Sequence, residues 1–183
     1  MALTELRVGT VDDAEACSVL MRRSAEELFP RFYPERLAAS AIRHVPVVDL
    51  QLLADGTYFV AEADGMVVAC GGWSRRDKLY TGSGDATGDV RDLDPASEPA
   101  RVRAMFVHPE WTRRGLGRAI LVACERAAHE AGFGQMTLMA TLPGVPLYRA
   151  YGFRARDDVE ITLPDGVRLP CVVMDKSIDL ACR

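Results

Sequence analysis

A short basic segment in the second half of the chain carries the residue types that bind phosphate groups. It reads Arg113-Arg-Gly-Leu-Gly-Arg118 and leads directly into the apolar spacing of an amphipathic helix. A helix N-terminus presents unpaired backbone N–H groups at the positive end of its dipole, and anions bind there. Gly115 and Gly117 allow a close approach to these N–H groups, while the arginines supply guanidinium charge. The segment therefore predicts a site for a phosphate-bearing ligand.

Two common phosphate-binding motifs do not fit this segment. A Walker A loop requires Gly-Lys-Ser/Thr, which is absent, and a dinucleotide fingerprint requires Gly or Ala where Ile120 stands. A bare Gly-x-Gly pattern is also typical of a tight turn into a helix that binds no ligand. The surrounding elements therefore have to decide between a structural turn and a phosphate site.

The apolar periodicities around this segment predict a sheet covered by helices. A weak strand ending near Val8 is followed by a helix to about Leu28, a second helix over Pro34–Arg43 and a hairpin at Asp64-Gly65. The later elements are strand Arg101–His108, a helix from about Leu116, strand Gln135–Ala140, a short helix within Pro143–Tyr151, and strands Ile161–Leu163 and Val167–Ile178. This order predicts an α/β (α+β) fold in one domain over residues 1–183, with a mixed, mostly antiparallel sheet of about six or seven strands.

The composition is typical of a globular domain and conceals two oppositely charged segments. The 183 residues are 49% hydrophobic and 26% charged, with a formal net charge of −4. Residues 101–126 contain six arginines and two acids, whereas residues 77–98 contain six acids and two bases. The basic segment suits a phosphate-bearing ligand, and the acidic one, in a long loop over 75–97, suits a cationic acceptor. No apolar run reaches the roughly 18 residues of a membrane span, and the acidic total argues against a nucleic-acid binder.

The cysteines and histidines give no support for a disulfide framework or a metal centre. The five cysteines are an odd number without C-x-x-C spacing, and the three histidines lie far apart in sequence. The N-terminus shows no signal-peptide pattern. We therefore expect reduced cysteines, no metal and a cytoplasmic location.

Two motifs together resemble the GNAT family, the Gcn5-related N-acetyltransferases. Residues 101–118 resemble its coenzyme-A motif, in which a strand ends in Val-x-Pro and an [Arg/Gln]-x-x-Gly-x-[Gly/Ala] loop precedes a helix. Further along, Pro146-Leu-Tyr-Arg-Ala-Tyr-Gly-Phe153 resembles the family's Tyr-x-x-x-Gly-Phe element. The predicted element order also matches the family's acyl-CoA N-acyltransferase fold. The resemblance implies an acyltransferase that uses acetyl-CoA as co-substrate.

The resemblance implies a role for each matching residue. Tyr148 would lie beside the thioester sulfur and act as general acid for the departing thiolate. Thr112 replaces a common Arg or Gln but keeps a hydroxyl donor, and Thr141 stands where many members have a coenzyme-binding Asn. The other coenzyme contacts would come from the backbone of Met105, Phe106 and Val107 and from the pyrophosphate loop of Arg113, Arg114, Gly115, Leu116, Gly117 and Arg118.

The base that prepares the acceptor amine is less well defined. An amine with a pKa near 10 is mostly protonated at pH 7, so a proton must leave before attack. Many family members carry a Glu where this chain has Arg101, and Glu98 lies three positions earlier, so Glu98 is our candidate base. Asp77, Glu62 and a water chain to solvent are alternatives. His108 is a weaker candidate, because it adjoins the phosphate-side turn.

Three functions remain open at this point. The leading hypothesis is acetylation of a small amine, in a pocket near the Phe29–Tyr33 turn, the hairpin around Trp73 and the acidic loop. The second is acetylation of a protein N-terminus or lysine, and the third is a non-catalytic acyl-CoA-binding module. The long 75–97 insertion would obstruct a peptide groove, which favours the small molecule. Edge strands of such a sheet can pair, so a homodimer is compatible with the fold.

Overall fold

The computed structural model describes residues 4–80 and 90–179, and one seven-stranded sheet forms its centre. The strands are β1 (Glu5–Val8), β2 (Tyr58–Ala63), β3 (Met66–Ser74), β4 (Ala100–Val107), β5 (Gln135–Thr141), β6 (Arg154–Thr162) and β7 (Arg168–Ser177). The helices are α1 (Ala14–Leu28), α2 (Glu35–His44), α3 (Leu50–Ala54), α4 (Leu116–Glu130) and α5 (Val145–Tyr151). This architecture confirms the mixed sheet flanked by helices that the sequence predicts.

The sheet opens at its middle, between β4 and β5. The strand order is β1-β2-β3-β4-β5-β7-β6, and every neighbouring pair is antiparallel except β4 and β5. These two parallel strands pair only over Ala100–Val102 and Met136–Leu138. In the described part of the chain, the ladder between them does not continue past these residues. The ends of β4 and β5 therefore border a gap in the sheet.

β4 carries a bulge beside this gap. Its register with β3 shifts by one residue between Cys70 and Gly72, so β4 has one residue more than its partner there. Ala104 lies within the bulge at a φ of 54°, in the left-handed region that alanine seldom occupies. The buried Tyr58 donates its hydroxyl hydrogen to the Ala104 carbonyl oxygen at 2.8 Å. Burial raises the pKa of Tyr58, which keeps this donor protonated.

Helices cover both faces of the sheet. On one face, α4 and α5 pack on a core in which Trp73 and Phe133 meet edge to face, with ring centroids 5.9 Å apart. On the other face, α1 and α3 pack on residues of β2 and β3, and the α1–α2 region packs on the β6–β7 hairpin. Burial on both faces of the central strands explains why β3 is continuously apolar rather than alternating.

Two elements differ from the sequence prediction. α3 is absent from the prediction, because five residues are too few to show a helical period. β6 spans nine residues rather than three, because it lies at the sheet edge with most of its side chains exposed. Its charged residues therefore show no apolar alternation. Thr10 and Asp13 form a capping box before α1, in which the Thr10 N–H donates to Oδ2 of Asp13 at 2.8 Å.

No helix within residues 4–80 or 90–179 has the length and apolar character that crossing a bilayer requires. The same residues contain no group of three or more His, Cys, Asp or Glu that could hold a metal ion. Cys182 lies outside the described residues, and the other cysteines are free and buried: Cys17, Cys70, Cys124 and Cys171.

Candidate functional site

One cavity of about 840 Å³ lies beside the gap between β4 and β5. This volume is in the usual range for a small-molecule site. Its basic end is formed by Trp111, Thr112, Arg113, Gly115, Leu116, Gly117 and Arg118. Its apolar lobe is formed by Leu28, Phe29, Phe32, Val45, Val47, Leu79, Met139, Ile161 and Leu163. Between them lie Val102–Val107 of β4, Thr141 at the end of β5, and Tyr148 of α5.

The basic end presents backbone N–H groups at the start of α4. Gly115 precedes the helix at a φ of 82°, a left-handed conformation that glycine adopts without steric cost. The first intrahelical bond runs from the Ala119 N–H to the Gly115 carbonyl at 2.9 Å. The N–H groups of Leu116, Gly117 and Arg118 therefore precede the helical ladder and face an approaching anion.

The side chains of this loop divide into two groups. Arg113 and Arg118, for which the sequence predicts phosphate contacts, both line the cavity. Arg114 is outside the lining and lies over the Trp111 ring, with its guanidinium carbon 4.4 Å from the ring centroid. The Thr112 hydroxyl donates to the Pro109 carbonyl at 2.9 Å, so its hydrogen is already used within the turn.

Gly117 has a second physical reason to be glycine. A Cβ at this position would lie 2.8 Å from Cδ2 of Leu147, on the facing helix α5. The missing side chain lets α4 and α5 approach each other closely, which brings the Leu147 and Tyr148 helix against the cavity. The sequence pattern explains Gly117 only by the close approach of a ligand, and it does not reveal this contact between helices.

The end of β4 directs one backbone N–H into the gap. The His108 N–H donates to the Val68 carbonyl at 2.8 Å, so His108 and Val68 form a hydrogen-bonded pair of the β3–β4 ladder. Pairs alternate in an antiparallel ladder, so the N–H of Phe106 also faces β3, whereas that of Val107 faces away from it. The bulge determines which N–H faces the gap. Without its extra residue, the N–H of Phe106 would face away from β3 and that of Val107 would face β3.

Tyr148 lies in the middle of the cavity wall. Its ring packs edge to face on Phe153, with centroids 5.9 Å apart, and a Cβ on Gly144 would come within 2.7 Å of Cε2 of the ring. Burial raises the pKa of Tyr148 above its usual value of 10, so the hydroxyl keeps its proton at neutral pH. Tyr148 can therefore donate a hydrogen bond into the cavity.

A buried ionic cluster anchors the helix that carries Tyr148. The Tyr151 hydroxyl donates to Oε2 of Glu125 at 2.5 Å, and Lys176 of β7 pairs with the other carboxylate oxygen. Glu125 is 1% exposed, so these partners replace its hydration. The cluster joins α4, α5 and β7 behind the cavity wall.

The candidate bases from the sequence lie outside the cavity lining. Glu98, Asp77 and Glu62 each form ion pairs with arginines, namely Arg91 for Glu98, Arg91 and Arg101 for Asp77, and Arg7 for Glu62. Hydrogen bonds from Arg91 lower the pKa of Glu98 to about 2. A carboxylate of that pKa is a weak base at neutral pH. The His108 Nδ1 accepts from the Glu110 N–H at 3.2 Å and caps the turn after β4.

The expected acceptor pocket is formed in part by the predicted elements. Phe29 and Phe32 line the apolar lobe, whereas Tyr33 is buried and joins two segments by hydrogen bonds to Leu142 and Pro170, both at 2.8 Å. Trp73 packs in the core and does not line the cavity. Of the acidic loop, Asp85 and Asp89 lie outside the described residues.

Three polar residues of the lining belong to no recognisable sequence motif, so the sequence alone does not identify them as site residues. His44 ends α2, with Nε2 3.4 Å from Oδ2 of Asp165 in the β6–β7 turn. Arg103 is 1% exposed at its side chain and pairs with Asp49 at 3.2 Å. Burial lowers the pKa of Arg103 and raises that of the third residue, Cys171, to about 12. A thiol of that pKa is a poor nucleophile at neutral pH.

Comparisons with known proteins agree with this geometry. The acetyltransferase (GNAT) domain profile matches residues 54–155, more than half of the chain. A GCN5-related N-acetyltransferase from Rhodopseudomonas palustris superposes with a TM-score of 0.69 at 21% identity, over 97% of each chain. The PaiA N-acetyltransferase from Thermoplasma acidophilum, in complex with coenzyme A, gives 0.66 at 17% identity over 96% of this chain and 99% of its own.

A third solved structure is that of YncA from Salmonella typhimurium with its cofactor acetyl-CoA. It gives a TM-score of 0.62 at 16% identity, over 99% of this chain and 97% of its own. These identities establish a shared fold. No curated protein matches the chain in sequence.

Proposed function

Since the chain belongs to the GNAT family of acetyltransferases and is an acyltransferase, we propose that it moves an acetyl group from acetyl-CoA directly to the primary amine of a small molecule. The observation that carries the proposal is one cavity that joins a basic end, a gap in the sheet, a tyrosine hydroxyl and an apolar lobe. Such a cavity has a place for each part of the reaction. Residues of α1, β5 and the β6–β7 hairpin line the lobe, and a cavity of this volume suits a small acceptor.

In this proposal the basic end holds the pyrophosphate of the coenzyme. The N–H groups at the start of α4 would donate to phosphate oxygens, and Arg113 and Arg118 would add charge-assisted hydrogen bonds. The coenzyme's amide-containing arm would then lie in the gap along Met105, Phe106 and Val107. Its amides can form hydrogen bonds with backbone N–H and C=O groups of β4, because the ladder between β4 and β5 ends at Val102 and Leu138. Thr141, at the opposite border of the gap, would contact the same arm.

Direct attack is the step that the cavity's chemistry favours. The thioester supplies an activated acetyl group, and the amine nitrogen forms the new bond to its carbonyl carbon as the bond to sulfur breaks. The Val107 N–H would donate to the carbonyl oxygen as negative charge develops there, and a donor of this kind contributes about 3–4 kcal/mol. The protonated thiol of Cys171 and the burial of Cys70 and Cys124 disfavour an acyl-cysteine intermediate.

Tyr148 would stabilise the departing thiolate. A free thiol has a pKa near 8.5, so full proton transfer from the less acidic phenol runs uphill. The main contribution of Tyr148 is therefore a hydrogen bond to the developing negative charge, with the proton following from the amine. No carboxylate belongs to the described lining, so the amine's proton would leave through water.

Thiol release tests the proposed function. The purified chain is mixed with acetyl-CoA and a panel of primary amines, and free thiol and acetylated amine are measured together. We expect equal amounts of both, dependent on the amine, and coenzyme binding by calorimetry without any amine. Binding without turnover for every amine, peptides included, would favour a non-catalytic acyl-CoA-binding module.

The proposal extends to the chain as a whole. We propose a single domain over residues 1–183, because strands from both ends of the described chain join one sheet. We propose a cytoplasmic location, because the four described cysteines are buried as free thiols, which a reducing compartment maintains.

A further inference from the structure

We infer that the acceptor is a primary amine carried on an apolar body, such as a phenylalkylamine or an alkylamine, and that the apolar lobe binds this body. The inference rests on the proposed function and narrows its substrate class.

The lobe is apolar on several independent elements. Leu28 and Phe29 come from the end of α1, Met139 from β5, and Ile161 and Leu163 from β6 and the turn after it. Most of these side chains belong to, or pack against, the buried cluster between the α1–α2 region and the β6–β7 hairpin. The cluster holds them in place, so the lobe is a preformed apolar surface rather than a flexible one.

Two further side chains of the lobe are exposed although they are apolar. Phe32 is 44% exposed and Val47 is 43% exposed, and both line the cavity. They lie on opposite sides of α2 in the sequence, and the cavity brings them together. Exposed apolar surface inside a concave site is typical of a ligand-binding surface, because a bound apolar group would remove it from water.

The charges around the lobe disfavour an acceptor with a second ammonium group. In residues 4–80 and 90–179, no Asp or Glu lines the cavity. Its lining includes the cationic side chains Arg31 and Arg103, whose partners Glu27 and Asp49 are outside the lining. A second ammonium in the lobe would lose hydration without gaining a carboxylate partner.

The sequence suggests the opposite class of acceptor. Its acidic 77–98 segment predicts a carboxylate surface for a cationic substrate. In the structure, the described acids of that segment mostly pair with nearby arginines: Asp77 with Arg91 and Arg101, Asp92 with Arg76, and Glu98 with Arg91. These described carboxylates neutralise arginines of the same region and do not line the cavity.

A matched pair of substrates gives the sharpest test. Hexylamine and diaminohexane have the same chain and differ by one terminal ammonium group. We expect kcat/KM for hexylamine to exceed that for diaminohexane by about tenfold or more, because no carboxylate of residues 4–80 and 90–179 lines the lobe. Along the series from ethylamine to hexylamine, kcat/KM should rise by about fourfold for each methylene that enters the lobe.

A variant of the lobe connects this preference to the structure. Phe32→Ala should lower kcat/KM for phenylethylamine by about tenfold and leave that for ethylamine nearly unchanged, because only the larger amine reaches the ring. Val19→Ala is the matched control, since Val19 is an exposed apolar residue of α1 outside the cavity. Both positions are exposed, so both variants should keep the unfolding midpoint of the parent.

The Val47→Asp variant tests the charge argument in the other direction. A carboxylate at this position should raise the ratio of diaminohexane to hexylamine turnover by about tenfold. Equal use of the two amines by the parent protein, or a preference for diaminohexane, would overturn the inference. A preference for hexanoyl-CoA over acetyl-CoA, with no dependence on the amine, would assign the lobe to the acyl chain and also overturn it. Either result leaves the proposed acyl transfer intact, whereas absence of turnover with every amine would contradict that proposal first.

Discussion

The basic end and the apolar lobe of the cavity attract their ligands by different physics. At the basic end, exposed arginines and helix N–H groups act on a charged group through short, directional hydrogen bonds. In the lobe, apolar side chains from separate elements act through the area that they remove from water. The basic end can therefore fix the register of a bound coenzyme, whereas the lobe can only select acceptors by size and polarity.

The bulge of β4 and the side chain of Tyr148 lie between these two regions. Both belong to the part of the cavity where the coenzyme's reactive group and the acceptor would meet. Changes there should therefore reduce the rate for every acceptor, whereas changes at either end should affect one ligand only.

The largest effect is expected for Tyr148→Phe. Loss of the hydroxyl should lower kcat by about 10- to 1,000-fold, because the departing thiolate loses its hydrogen-bond donor. The coenzyme Kd from calorimetry should stay within about twofold, since the ring and its packing on Phe153 remain. A variant with unchanged kcat for all acceptors would remove Tyr148 from the chemistry.

Arginine variants should distinguish the side chain that lines the basic end from the one that lies outside the lining. Arg118→Gln should raise the coenzyme Kd by about 10- to 100-fold, the value of a hydrogen bond between charged groups at about 1.5–3 kcal/mol. Arg114→Gln is the matched control and should change Kd less than about threefold, because Arg114 is stacked on Trp111 outside the lining. The effect of Arg118→Gln should shrink at high salt. Equal effects of the two variants would contradict the division of this loop.

Lowering the pH should reduce the free energy of unfolding, because it protonates a carboxylate at the start of α1, the helix whose other end contributes to the lobe. Hydrogen bonds from Arg7 lower the pKa of Asp13, at the start of α1, from 3.8 to about 2. A carboxylate with a lowered folded-state pKa stabilises the fold above its unfolded value, and this stabilisation is lost as the pH falls from about 3.8 to 2. Asp13→Asn should therefore cost about 2 kcal/mol of unfolding free energy at pH 6 and nearly nothing at pH 2.

Urea unfolding at several pH values measures this difference. Asp12→Asn is the control, because Asp12 is exposed beside Asp13 and has no ion pair among the described residues. A difference between Asp13→Asn and the parent that stays constant from pH 6 to pH 2 would show that the Arg7 ion pair does not anchor α1.

The smallest effect is expected for Tyr58→Phe, which leaves the Ala104 carbonyl of the bulge without its buried donor. The unfolding free energy should fall by about 1 kcal/mol, and kcat should fall a few-fold as the Val107 N–H loses its fixed direction. Thr137→Val is the control, because it removes a buried hydroxyl of β5 that donates to the Met174 carbonyl, in a strand other than the one that carries the bulge. A similar loss of stability in both variants, with kcat reduced only in Tyr58→Phe, would confirm the bulge as a positioning device.

The two regions also differ in how far the sequence predicts them. Arg113, Gly115 and Gly117 lie within one turn at the start of a helix, so their spacing alone indicates an anion site. Phe32, Val47 and Leu163 are distant in sequence and come together only when α2 packs on the β6–β7 hairpin. Glu98 illustrates the reverse case, since its position in the sequence suggests a base but its ion pair with Arg91 holds it outside the cavity lining.

The order of the main elements, the GNAT family and the loop at the start of α4 can be predicted without the structure, because each depends on spacing within a short segment. The tertiary structure decided the bulge at Ala104, the position of Arg114 outside the cavity and the apolar character of the lobe. These features depend on strand register and on packing between distant segments, which local periodicity does not encode. The proposed acceptor class therefore depends on the folded chain, whereas the spacing of the proposed phosphate-binding loop can be recognised in the sequence alone.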